Sequence, residues 1–293
     1  MKKVQKKLLK KKTDLAIEFL NKYSDKFRCP LCSSDIFILP AEKSVQCENH
    51  HTFDISKKGS LQLVNKFVKT EYDQALFTSR TEMMAAGLFK PVFSKIAENI
   101  QDDEFVIDAG SGEGSALIDL ANNKKVAAVG FDLSNQGIQA STRGLAEGNL
   151  LFVVGNLANL PLKDQSVDTI INLLSPASYQ EFKRVLKTDG QILKIIPNSQ
   201  YLHEIREFVA EKNPHINSTY ENTDVIKNLQ EHFSQIEVVD INYNFALNTP
   251  ELKANMFGMT PLTWSLDEEI KQEFIKSSID NITIDLQMLK IRK

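Results

Sequence analysis

The chain has 293 residues, 42% of them hydrophobic and 25% charged, with a formal net charge of −3. That length fits one large domain or two ordinary ones, and the composition supports a real core, which excludes disorder as the overall state. No run approaches the ~20 apolar residues that span a bilayer. The basic N-terminus lacks both the apolar stretch of a secretory signal and the Arg- and Ser-rich character of a transit peptide, so the sequence reads as cytoplasmic with no membrane partner.

The net charge hides an asymmetry. Residues 1–70 carry 15 Lys+Arg against 7 Asp+Glu, and the remaining 223 carry 20 against 31. Such a split points to an N-terminal part that meets an anionic partner, nucleic acid foremost. Seven lysines in the first twelve residues also fit a solubilising tail. Within residues 4–24, Val4, Leu8, Leu9, Ala16, Ile17 and Leu20 are spaced as one face of a helix.

All three cysteines then fall within nineteen residues, as Cys29-x2-Cys32-x14-Cys47-x3-His51, which puts His51 four residues after the last of them. An odd count in a cytoplasmic chain argues against a disulfide framework. Thiolates and imidazole at this spacing supply the four tetrahedral ligands of zinc, and Pro30 helps a short turn aim two sulfurs at one ion. His50 competes with His51 for the fourth place. With every position filled by protein, the site is structural, and binding energy becomes folding energy. The expected module runs to about Leu63 with short strands such as Asp35–Leu39. A basic linker and helix follow over residues 64–100, with a turn at Ala86–Pro91.

From Glu104 short apolar runs alternate with helical segments, the pattern of a parallel α/β sheet. Strands are expected at Phe105–Ala109, Val126–Asp132, Leu150–Val154, Val167–Leu174 and Gln191–Ile196. Two more, Ile236–Phe245 and Ile282–Lys290, flank a helical insertion. After the first strand stands Asp108-Ala109-Gly110-Ser111-Gly112-Glu113-Gly114, running from strand to tight turn to helix. Glycines there allow φ > 0 and close approach of a ligand to the backbone, at the carboxyl end of a strand where open sheets bind ligands. Ser115 stands where a dinucleotide fingerprint has its third glycine. Asp108 and Glu113 repel a pyrophosphate but suit an ammonium, and Asp132 at the end of the second strand suits two ribose hydroxyls. That set favours S-adenosylmethionine over NAD.

These residues resemble the RlmA-type (RrmA) 23S rRNA guanine-N1 methyltransferases. The likeness spans the chain from about residue 27: Phe27-Arg28-Cys29-Pro30-Leu31-Cys32, Cys47–Asp54, Lys58-Gly59, Tyr72–Arg80, Ala86–Pro91, Asp108–Gly114, Leu174–Ala177, Phe182–Lys187 and Met259–Trp264. It implies a class I, Rossmann-like methyltransferase domain, α/β, behind a zinc-ribbon-like module. The implied division is a basic helical extension (1–26), a zinc-binding RNA-recognition module (27–64), a linker and helical lead-in (65–103) and the methyltransferase domain (104–293). It places zinc on Cys29, Cys32, Cys47 and His51. Beside Asp108, Gly110, Gly112, Gly114 and Asp132, it adds cofactor contacts at Phe89, Ala116, Leu117 and Tyr201. Two departures stand out: the first 26 residues have no counterpart in shorter members, and Tyr201 stands where some members have histidine.

The implied reaction moves a methyl group from S-adenosylmethionine to N1 of a guanine in a 23S rRNA hairpin loop. It depends on in-line positioning and on loss of the N1 proton, for which no residue is nominated. Ser175-Pro176-Ala177 is expected to face the acceptor, and Trp264 is expected in the core rather than stacked on RNA. Two other classes compete: a small-molecule methyltransferase, which leaves the zinc module without a purpose, and a non-catalytic zinc-ribbon RNA binder, which leaves the glycine loop and Asp132 unexplained. A homodimer is left open.

Overall fold

The computed structural model describes residues 10–64, 73–212 and 220–293. Helix α1 (Lys12–Tyr23) leads into a small antiparallel sheet of β1 (Ile36–Leu39), β2 (Ser44–Cys47) and β3 (Thr52–Asp54). There follow β4 (Ser60–Gln62), α2 (Gln74–Ala85), α3 (Lys90–Glu98), β5 (Phe105–Ala109), α4 (Ser115–Asn123), β6 (Ala127–Asp132), α5 (Asn135–Ser141), β7 (Leu150–Val154) and β8 (Val167–Leu173). The chain continues through α6 (Tyr179–Val185), β9 (Leu186–Pro197), α7 (His203–Lys212), α8 (Thr223–His232), β10 (Gln235–Ala246), α9 (Pro250–Met259), α10 (Glu268–Lys276) and β11 (Asn281–Arg292).

The main sheet has eight strands in the order β10-β11-β9-β8-β5-β6-β7-β4. Strands β5 and β7 are buried at every position because helices cover both faces of the parallel sheet. Strand β11 runs antiparallel to β9 and β10. After β5 the chain steps outward through β6 to β7, then crosses to β8 on the other side. The carboxyl ends of β5 and β8 therefore form the switch point at which such sheets bind ligands. All seven expected strands are present, with β9 beginning five residues earlier than expected, and α2 and α3 bracket the Ala86–Pro91 turn. Of the residues read as linker, 65–72 lie outside the described residues, as do Val4, Leu8 and Leu9.

The N-terminal quarter is built into this sheet. Strand β4 is its edge, pairing parallel with β7 through Ser60↔Phe152, Leu61↔Val153 and Gln62↔Val154. The ribbon leans on the chain after β7: Arg28 N–H donates to Pro161 O at 3.1 Å, Lys163 N–H to Lys26 O at 2.8 Å, and Asn159 Nδ2 to Pro30 O at 2.9 Å. Gly59, at φ +81°, passes so close to the helix that a Cβ would sit 2.5 Å from the Lys12 carbonyl oxygen. From Lys12 onward the leader is a core helix rather than a solubilising tail. Phe19 and Leu20 are fully buried, and the Phe19 and Tyr23 rings lie 6.4 and 5.7 Å from that of Phe105. Among the described residues no helix is long and apolar enough to cross a membrane. Trp264 departs from expectation: it is 40% exposed rather than packed in the core.

Phe19→Ala removes a fully buried ring at the joint between α1 and β5, and about 3–5 kcal/mol of unfolding free energy is expected to go with it. Chemical denaturation of the two proteins measures the difference; a loss below ~1 kcal/mol would show α1 to be a dispensable appendage.

Candidate active site and metal centre

Two tight turns bring the metal ligands together. In the first, Ser33 takes φ +60° and donates its N–H to Cys29 O at 2.9 Å, while Leu31 N–H points at Cys29 Sγ at 3.4 Å. In the second, His50 takes φ +62° and donates to Cys47 O at 2.9 Å, which turns His51 back toward the sulfurs. Cys29, Cys32, Cys47 and His51 converge with their ligand atoms all within 4.8 Å of one another. His51 belongs to this cluster, and exposed His50 stays outside it.

The spacing fits zinc. Bonds of about 2.3 Å to sulfur and 2.0–2.1 Å to nitrogen put tetrahedral ligands roughly 3.5–3.8 Å apart. Observed separations are 3.6 Å for Cys32 Sγ–Cys47 Sγ, 3.6 Å for Cys29 Sγ–His51 Nδ1 and 3.4 Å for Cys47 Sγ–His51 Nδ1. Burial pushes the Cys29 thiol up to about 11, whereas a hydrogen bond from the Asn49 side chain draws Cys32 down to about 5. A divalent cation must therefore displace a proton at Cys29, which ties metal affinity to pH.

The second site lies at the switch point. Gly110, Gly112 and Gly114 take φ +88°, +53° and +82°, and a Cβ on Gly110 or Gly114 would stand 2.5–2.6 Å from Ser175 or Ser141. The Asp132 carboxylate ties two loops together, accepting from Gly112 N–H at 2.9 Å and from Ser134 N–H at 2.7 Å. Burial, then the nearby Asp132 and Glu113, raises Asp108 to about 8; burial also raises Glu113 and Asp132. Asp108 Oδ1 and Ser111 Oγ are buried with no hydrogen-bond partner. A cluster of acids with unmet polar atoms, beside a backbone stripped of side chains, suits a ligand that carries positive charge and hydroxyls.

On the β8 side Leu174 adopts φ +50°, a conformation its side chain disfavours. A polar network holds the turn. Ser175 Oγ donates to Ala109 O at 2.6 Å, Asn172 Nδ2 donates to Ala109 O at 2.8 Å and to Pro176 O at 3.1 Å, and buried Lys194 Nζ donates to Asn172 Oδ1 at 2.5 Å. Burial lowers the Lys194 ammonium to about 8.

The structure thus brings together Asp108, the three loop glycines and Asp132. Leu117 is fully buried in the core and Ala116 nearly so, both at the start of α4 just after the glycine loop. Phe89 is buried in the same core, and Tyr201 packs half-buried at its rim. Sequence reasoning passed over Arg80. From α2 its Nη1 comes within 3.6 Å of where a Gly112 Cβ would be, and its charge stabilises ionised Glu113, Asp132 and Tyr201. The only available signal was its place at the end of the Tyr72–Arg80 segment.

Two family models match, a methyltransferase domain over residues 100–255 and the RlmA N-terminal zinc ribbon over residues 27–65. The Bacillus subtilis protein named "Putative 23S rRNA (guanine-N(1)-)-methyltransferase YxjB" is 31% identical over 274 residues, covering 90% of this chain and 95% of that protein. The chain belongs to the 23S rRNA (guanine-N(1)-)-methyltransferase family. It is accordingly an S-adenosylmethionine-dependent rRNA methyltransferase whose ribbon takes zinc. The Streptomyces fradiae 23S rRNA (guanine(748)-N(1))-methyltransferase is 24% identical over 186 residues, 61% of this chain and 65% of that one. Phosphoethanolamine N-methyltransferase 2 of Haemonchus contortus, solved with S-adenosylhomocysteine, shares the fold at a TM-score of 0.51 and 12% identity, over 80% of this chain and 62% of that one.

In the cofactor-free protein Asp108 stays protonated up to about 8, whereas an unfolded aspartate ionises near ~3.9. Between these values the folded state holds the extra proton, so stability falls as pH rises through that window. Asp108→Asn is expected to make this decline shallower. Thermal midpoints from pH 5 to 8 test it, and parallel curves for the two proteins would refute the assignment.

Proposed function

We propose that the protein methylates N1 of a guanine in a hairpin loop of 23S rRNA. The observation that carries this reading is the continuity of one core from a Cys3His ribbon to a methyltransferase site, joined through β4 and α1. The B. subtilis and S. fradiae relatives, both named as guanine-N1 methyltransferases of 23S rRNA, support the target atom. A small-molecule enzyme has no use for the ribbon. A pure RNA binder has no use for unpartnered Asp108 Oδ1 beside three positive-φ glycines.

In this reading Asp132 accepts from the ribose hydroxyls, Gly110, Gly112 and Gly114 let the cofactor lie against the main chain, and Ala116 and Leu117 contribute backbone at the start of α4. Asp108 and Glu113 face the methionyl ammonium, directly or through water, and Arg80 answers the carboxylate. Phe89 and Tyr201 close the sides. S-adenosylmethionine supplies an already activated methyl group, so the protein's work is to hold the acceptor base in line. The Ser175–Ala177 turn, fixed by Asn172 and Lys194, is the wall against which that base rests, once exposed from its stack. The ribbon holds the surrounding RNA by phosphate contacts and shape.

Protein incubated with radiolabelled S-adenosylmethionine and unmodified 23S rRNA is expected to place the label in 1-methylguanosine. Label in another nucleoside, or none from protein that binds zinc and cofactor, would overturn the assignment. Separately, Cys29→Ser with Cys47→Ser is expected to lose zinc and at least tenfold in RNA affinity while S-adenosylmethionine still binds. Undiminished RNA affinity in a folded, zinc-free variant would remove the ribbon from recognition.

A further inference from the structure

Where α1, the turn before β4 and the outer face of α5 meet, a cavity of about 200 Å³ is lined by Lys12, Lys58, Arg143, Gln74, Gln136 and Gln139, and among the described residues no carboxylate stands in its wall. The three cations come from three separate stretches of chain: the leader helix, the ribbon's last turn and the methyltransferase domain. Their convergence is built in. Thr13 Oγ1 donates to Ser56 O at 3.2 Å and reaches Lys57 O at 3.4 Å, and Gly59 lies against the Lys12 carbonyl, so the lysine turn is pinned to the start of α1. On α5 and just beyond, residues 136, 139, 140 and 143 share the outward face, whereas Gly137 packs against Phe77 and the Gly112 carbonyl.

Among the described residues the lysine charges are met by neutral acceptors. Lys12 Nζ donates to the Thr142 carbonyl at 2.7 Å and Lys58 Nζ to Gln139 Oε1 at 3.1 Å. Arg143 is exposed, and Glu113, a carboxylate that its charge stabilises, belongs to the glycine loop rather than to the cavity. Three like charges around one small space repel one another unless an anion shares it. Ammonium, guanidinium and amide N–H groups together match the oxygens of a phosphodiester. Phe77 forms part of the wall, and its ring lies 3.7 Å from where a Gly112 Cβ would stand. A strand gripped in the cavity is therefore held one aromatic ring away from the cofactor loop.

We propose that this cavity is a backbone-phosphate site for the rRNA substrate, composed jointly by Lys12, Lys58 and Arg143. It rests on the rRNA reading above and adds to it a place where the leader helix and the methyltransferase domain, and not the ribbon alone, grip the RNA. It also gives a role to the end of the N-terminal lysine run, with Lys12 as its last member.

The test measures binding of a 23S rRNA transcript to the full-length, zinc-loaded protein across a potassium chloride series. The comparison is between Lys12→Gln/Lys58→Gln/Arg143→Gln and a charge-matched control, Lys125→Gln/Lys227→Gln/Lys276→Gln, at three exposed lysines elsewhere. Each phosphate contact contributes roughly 0.7–0.9 to the slope of log affinity on log salt. The cavity variant is expected to lose about 2 from that slope and at least tenfold in affinity at low salt. Its S-adenosylmethionine Kd and thermal midpoint should hold, and the control should shift little. Equal losses in both variants would mean a diffuse basic field and overturn the site, as would an unmoved cavity variant. Wild-type protein that neither binds nor methylates the transcript would sink the rRNA reading and this site with it, whereas wild-type binding with an unmoved variant sinks the site alone.

Discussion

Ser60–Gln62 lies parallel to Phe152–Val154, and the placement of every N-terminal feature depends on that short edge pairing. Even an edge strand cannot slide by one residue without exchanging its buried and exposed faces, because side chains alternate with a period of two. Leu61, fully buried, therefore fixes where β4 ends, and the turn before it fixes where α1 begins. From that anchor the ribbon is set against residues 159–164, with Lys163 paired to Asp35 at 2.6 Å. The metal ligands thus share one core with the sheet that carries the glycine loop. The ribbon and the part that transfers the methyl group are thus held at a defined separation, as orientation catalysis on a macromolecular acceptor requires of any part proposed to grip it.

The glycine-loop site is electrostatically unfinished by itself. Asp108, Glu113 and Asp132 crowd one another in a buried space, and all three are raised above their ordinary values. Such crowding costs stability in exchange for affinity toward a ligand that brings the missing positive charge. Arg80 offsets part of it, reaching in from α2, a helix outside the Rossmann-like core. The opposite wall follows a different rule. There the backbone is bent at Leu174, and a network of neutral donors and one buried ammonium keeps it bent. Strain of this kind persists only where its surroundings over-determine it.

The legible parts of the chain were those whose physics is local. Strands β5 to β8 announce themselves as apolar runs because both faces are buried, and the ligand spacing of the ribbon follows from what a single ion can reach. The glycine loop and Asp132 were legible because a tight turn needs φ > 0 and the second strand must end beside it. The sequence leaves two histidines open beside the cysteines, and the left-handed turn at His50 is what brings His51 rather than His50 to them. Strand β4 escaped because three residues, Ser-Leu-Gln, have no period to detect, and their partner lies about 90 positions away. Arg80 and Lys194 escaped for the same reason, since neither has a local pattern that shows what it will face. Trp264 was misjudged because frequency in cores says nothing of one residue's neighbours.

The edge pairing has a consequence for how the chain is made. Strand β4 finds its sheet partner only when Val154 exists, and the ribbon's supports at Pro161 and Lys163 come later still. The leader helix and β4 therefore emerge first and cannot complete their core until the middle of the chain has been synthesised. Long-range closure of this sort is slow relative to local helix and turn formation. During that interval Phe19, Leu20 and Leu61, all fully buried in the finished fold, lack the sheet strands that complete their burial. A bound zinc ion can close the ribbon on its own, giving the nascent N-terminus one folded unit while the rest of its partners are awaited.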